Sequence, residues 1–164
     1  MDVKLISVLI SGSVALFIAV LNHFIITPYK ERKNRKREQL KHLYAPLYGI
    51  INVRVKLVIE MSMRAKKLML GNVDNKEYQS GVFMEKFIIE KSGYCSDELL
   101  EAWIEYSSQF GEFKKETTER LVVAVVKEYN QLKKDLNLPY NKEELKTGIP
   151  ESIKQYREIL IKHS

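Results

Sequence analysis

Residues Leu5 to Ile26 (LISVLISGSVALFIAVLNHFII) contain no aspartate, glutamate, lysine or arginine. At about 1.5 Å of rise per residue, a helix of this length reaches about 33 Å, enough to cross a hydrocarbon core about 30 Å thick. The next residues, TPYKERKNRKREQLKH, are strongly cationic. The pair reads as one transmembrane helix and its stop-transfer flank, and this sets what the rest of the chain can be.

A cleaved signal peptide is the competing reading, because only Lys4 precedes the run as a cation. The run is longer than a usual signal-peptide core of roughly 7 to 15 residues. Thr27-Pro28-Tyr29-Lys30 offers no small-x-small cleavage site, and the charge comes after the apolar run instead of leading it. An uncleaved anchor over residues 1–28 is expected.

Lys30, Arg32, Lys33, Arg35, Lys36, Arg37 and Lys41 oppose only Glu31 and Glu38, whereas Asp2 offsets Lys4 ahead of the run. The positive-inside rule places the N-terminus outside and the rest of the chain in the cytoplasm, at an inner or plasma membrane. The seven cations are candidate contacts for anionic lipid headgroups, each worth about 1 kcal/mol near the surface. Tyr29 suits the interfacial aromatic position, and Pro28 is expected to break or redirect the helix at the bilayer edge. Within the run, Ser7, Ser11, Ala15 and Ala19 recur at i+4 and Asn22 continues them at i+3. They form a candidate self-association stripe, because small residues let helices approach and asparagine can bond across them.

The chain carries a formal net charge of +6, and the excess belongs almost wholly to residues 29–42, read as a basic juxtamembrane helix. That distribution points to a lipid surface and away from nucleic acid, since headgroups compete for the same cations. Residues 43–164 are nearly balanced in charge and suit one domain. One cysteine, Cys95, rules out an intramolecular disulfide and agrees with a reducing compartment.

The fold expected is all-α: one N-terminal transmembrane helix, then a cytoplasmic antiparallel bundle of four or five helices. Leu43 to Leu70 reads as one amphipathic helix with Leu43, Leu47, Ile50, Ile51, Val58, Met61, Ala65 and Leu68 on its apolar stripe and Arg54 interrupting it. Pro46 marks either its first turn or a kink, Tyr44 to Gly49 is the expected hinge, and Gly71-Asn72 the expected C-cap. A helix from Asn75 to Lys91 should bury Val82, Phe83, Phe87 and Ile88, with Tyr78 a further candidate. Ser96 is the expected N-cap of a stretch toward Leu136, in which Gly111 is a possible break. Its segment Leu121 to Val126 is β-branched, yet helical flanks and the lack of a pairing strand make it the most buried helix. Asn141 with Glu144 resembles a capping box, and Pro150 should open a last helix packing Ile153, Tyr156, Ile159 and Leu160.

No phosphate loop, zinc motif, EF-hand or serine elbow is present, so no cofactor and no enzymatic activity are expected. Glu98 with Glu101, and Glu143 with Glu144, read as solvated helix surface rather than acid/base pairs. The tyrosines read as core-boundary residues with wet hydroxyls. The LYAPLYGII segment resembles small bacterial inner-membrane proteins with one N-terminal span and a helical tail, a likeness that implies no activity. The function expected is a membrane-tethered interaction or sensor module with an unknown protein partner. The alternative is an oligomerising, membrane-active protein of toxin-like or phage-lysis-like kind, driven by the transmembrane helix.

Overall fold

The computed structural model describes residues 3–71, 80–109 and 114–153, and among them every regular element is helical. The chain forms two compact units, Met1–Lys36 and Arg37–Ser164.

The first unit is built on α1 (Val3–Leu21), a π turn at Asn22–Ile26 and the start of α2 (Thr27–Gln39), within which the unit boundary falls. A second π turn, Leu40–Tyr44, precedes α3 (Ala45–Leu57). Both π turns have the same cause. Proline lacks an N–H and its ring clashes with the carbonyl four residues back. In each case the residue just before the proline bonds five residues back instead, Thr27 N–H to the Asn22 carbonyl and Ala45 N–H to the Leu40 carbonyl. The widened turn lets the helix run on through Pro28, where a break was expected, and seats Pro46 in the first turn of α3.

In the second unit, α3 is followed by α4 (Ile59–Ala65), α5 (Gly81–Glu90), α6 (Asp97–Ser107), α7 (Lys115–Asp135), α8 (Lys142–Thr147) and a 3₁₀ turn at Glu151–Ile153. Leu43, Leu47, Ile51 and Val55 recur at i+4 and are all fully buried. Tyr44 to Gly49, expected as a hinge, is instead helical, with Tyr44 and Leu47 in the core. α3 packs on α7, α5 and the 3₁₀ turn, and α7 packs on both α6 and α8. Ser96 meets Glu128 at one end of the α6–α7 pair and Gln109 meets Thr117 at the other, so these two helices run antiparallel.

α7 carries the β-branched segment as expected of it: Leu121, Val122, Val125 and Val126 are fully buried in a helix. Each such side chain contributes about 1.5 to 3 kcal/mol of burial. The stretch from Asp97 toward Leu136 is divided into two helices, α6 and α7, as the break offered near Gly111 allows, with Ser108, Gln109 and Lys114 outside both.

The expected single helix over Leu43 to Leu70 also divides. Val58 departs from helical geometry at φ −122°, ψ 19°, and the C-cap is Lys66 at φ 52°, five residues before Gly71. The chain then folds back, so that the Gly71 N–H donates to the Arg54 carbonyl (3.3 Å), Arg54 Nη2 donates to the Leu70 carbonyl (3.4 Å) and the Met69 N–H donates to Ser62 Oγ (3.2 Å). Gly71 is there for close approach and not for its φ: an added Cβ would sit 2.6 Å from Val58 Cγ1. Arg54 is buried rather than interrupting the core stripe, whereas Met61 and Ala65 face solvent.

On α5 the N-cap is Ser80, whose Oγ accepts from the Phe83 N–H (3.0 Å). Met84 and Ile88 are buried, Phe83 and Phe87 flank them, and Val82 points outward because it lies on the opposite side of the helix from that pair. On α6, Leu99, Trp103 and Tyr106 are buried while Leu100 and Ile104 are exposed. Ile153 is buried as expected. Asn72, Asn75, Tyr78, Gly111, Tyr156, Ile159 and Leu160 lie outside the described residues.

Candidate functional site

α1 is long and apolar enough to cross a membrane. All side chains from Ser11 to Val20 are exposed, including Leu16, Phe17 and Ile18. Ser11, Ala15 and Ala19 lie along one stripe of α1, since i+4 steps advance little around a helix. The backbone of Ser7 belongs to the same helix. Asn22 is exposed but begins the π turn, whose extra residue per turn alters the facing of the residues beyond it.

Lys30, Arg32, Lys33, Arg35, Lys36 and Arg37 are on α2, and Lys41 is in the second π turn. Arg37 and Lys41 fall in the second unit and the other five in the first. Lys30, Arg32, Lys33, Arg35 and Lys36 are spread around α2 rather than aligned on one stripe. In the second unit, His42 Nε2 is 3.0 Å from Glu38 Oε2, its ring stacks on Tyr94 at 5.9 Å, and Gln39 Nε2 donates to the Tyr94 carbonyl (3.1 Å).

One polar group that sequence reasoning placed wrongly is Glu144. Expected at the surface, it is 3% exposed. Its Oε1 accepts from the Tyr48 hydroxyl (2.9 Å) and the Glu151 N–H (2.7 Å), and its Oε2 from Asn130 Nδ2 (2.9 Å). Asn141 does cap α8, accepting from the Glu143 and Glu144 N–H groups, but its own N–H donates to Asn130 Oδ1 (2.9 Å). The return half of the capping box is therefore replaced by a tertiary bond. Burial, followed by the Glu144 carboxylate, raises the Tyr48 hydroxyl well above the usual tyrosine range. Tyr48 also stacks on Tyr129 at 4.2 Å.

A second polar junction surrounds Tyr44, whose hydroxyl is inside the protein rather than wet. It accepts from the Ser96 N–H (3.0 Å), while Ser96 Oγ accepts from the Leu99 N–H (3.0 Å) and donates to Glu128. Burial and the nearby Glu128 raise the Tyr44 hydroxyl far above its ordinary range. Cys95, beside this junction, is half-buried, and burial pushes its thiol up to about 11. A thiol so displaced is protonated at neutral pH and poorly nucleophilic.

Arg120 pairs with Glu98 (3.2 Å), Glu101 (2.9 Å) and Glu105 on the outer face of α6. Those hydrogen bonds hold its guanidinium firmly charged. Glu98 and Glu101 are thus ion-paired surface, in keeping with the sequence reading. Phe83, Lys86, Phe87 and Glu90 line a depression of about 130 Å³, smaller than the roughly 300 to 1,000 Å³ of small-molecule sites. Among the described residues no three His, Cys, Asp or Glu side chains are grouped to hold a metal. Both polar junctions are closed by groups of the chain itself. Compared with protein-family models, curated proteins and solved structures, the chain matches none.

Proposed function

We propose that this chain is a single-pass membrane protein whose anchor, α1, holds a cytoplasmic antiparallel helical bundle at the inner leaflet, where the bundle recruits or senses a protein partner. The observation that carries the reading is the exposure of Leu16, Phe17, Ile18 and their neighbours on α1, directly ahead of the cationic α2. Apolar side chains presented on all sides of a helix suit lipid, and cations beyond its C-terminal end suit the cytoplasmic headgroups. Tethering raises the local concentration of the bundle at the membrane without adding a contact.

Chemical crosslinking with mass spectrometry on the full chain in its native membrane tests this. Crosslinks from residues 37–153 to one other protein are expected and would name the partner. Crosslinks only between copies, lost in Ser11→Leu with Ala15→Leu, would shift the reading to a membrane-active oligomer.

A further inference from the structure

α5 turns Met84 and Ile88 into the core and leaves Val82 and Ile89 74% and 64% open to solvent. These are the two most exposed large hydrophobic side chains described in the second unit. They are seven residues apart, so at about 100° per residue they lie within about 20° of one line along the helix. Glu85 and Lys86, both exposed, flank that line on opposite sides, about 60° and 40° from Val82. The Lys86 ammonium stands 4.0 Å from Glu90 with both side chains well exposed, a pairing too weak to keep it from another carboxylate. The depression lined by Phe83, Phe87, Lys86 and Glu90 leaves room along one edge of the stripe.

We infer that a second copy of this chain pairs with α5 in parallel, about a two-fold axis that runs along the helix. One patch on one helix is enough for such a contact, because an isologous interface sets the same surface against itself. Val82 then meets Val82 and Ile89 meets Ile89, at the seven-residue spacing of a coiled-coil seam. The rotation also brings one flank of each helix against the other flank of its copy, so Glu85 meets Lys86 of the second copy, twice over. An antiparallel pair would set Glu85 against Glu85 and Lys86 against Lys86, and like charges select against it. A ten-residue helix offers less than the roughly 1,200 Å² of a stable interface, so the pairing rests on the tethered reading. Two copies held in one membrane meet at a raised effective concentration.

The test uses the full chain in its native membrane, with Cys95→Ala as background and copper phenanthroline as oxidant. Val82→Cys and Ile89→Cys chains should each form disulfide-linked dimers, since each position faces its own copy. Mixed together, they should give links between unlike positions at least about tenfold less often, because the two positions stand about 10 Å apart along the helix. Adding Lys86→Glu to the Val82→Cys chain should lower its linking by about fivefold or more, and so should adding Glu85→Lys. Mixing those two variants should restore it, since opposite charges then face each other at both contacts. Lys86 is open to solvent in one copy, so its reversal leaves the fold in place. Links only between unlike positions, links undiminished by Lys86→Glu, no recovery on mixing, or no links in a chain that alkaline carbonate leaves in the membrane would overturn the pairing and leave the tether standing. A chain that carbonate releases would overturn the tether and the pairing with it. Association through α1 is insensitive to the charge at position 86 and would show as undiminished linking.

Discussion

The Tyr48 hydroxyl and Glu144 Oε1 are joined at 2.9 Å across 96 residues of sequence, tying α3 to α8. The same carboxylate takes the Glu151 N–H and Asn130 Nδ2, so one side chain connects α3, α7, α8 and the turn after it. A buried carboxylate is tolerable only because three donors satisfy it. Removing the acceptor takes one hydrogen bond from each of those donors, at a cost of about 3 kcal/mol for Glu144→Ala. Tyr48→Phe removes one bond and should cost about 1 to 2 kcal/mol. Thermal unfolding followed by circular dichroism measures both, and equal losses for the two variants would show that the junction is not centred on Glu144.

Little of this junction was legible in the sequence, and the reason is physical. Asn141 and Glu144 matched a local motif, and Asn141 does cap α8. What diverts Glu144 is a tyrosine nearly a hundred residues away, which no local pattern reveals. The apolar stripe Leu43, Leu47, Ile51, Val55 and the buried helix over Leu121 to Val126 were legible, because periodicity and flanks are enough to place both. Val82 and Met61 were misjudged because α5 and α4 are short, and on a short helix the apolar positions do not decide which face turns inward.

Glycine at position 148 combines two demands. Its φ is +73° at the C-cap of α8, and an added Cβ would lie 2.6 Å from Val123 Cγ1 and 3.0 Å from Val123 Cα. Gly148→Ala should destabilise by roughly 2 to 4 kcal/mol from backbone strain and overpacking together. Denaturant titration should show a lower midpoint with an unchanged slope, and an unshifted midpoint would contradict the contact.

Alkaline pH should destabilise the domain. Burial raises the hydroxyls of Tyr44, Tyr48 and Tyr106, and pushes the Cys95 thiol up to about 11. In the unfolded chain tyrosines lose protons near pH 10 and cysteine near 8.5. Above those values the unfolded state holds fewer protons than the native state, so unfolding becomes more favourable as pH rises. Stability from these groups is complete below about pH 8 and declines from there through the raised native values. Unfolding midpoints measured from pH 7 to 11 should fall, and a flat profile would contradict the burial of these groups.

The same displacement makes Cys95 slow to react. Alkylation at neutral pH should be at least about tenfold slower in the folded chain than in the denatured chain, because little thiolate is present. Equal rates would place the thiol in water.

The central claim is that α1 spans a bilayer, and alkaline carbonate extraction of membranes carrying the full chain tests it most directly. The natural chain should stay with the bilayer. Leu16→Arg with Phe17→Arg, which places two charges near the middle of the run at about 2.5 to 3.5 kcal/mol each, should move the chain to the soluble fraction. A natural chain that is extracted as readily as this variant would contradict the anchor and the tethered reading built on it.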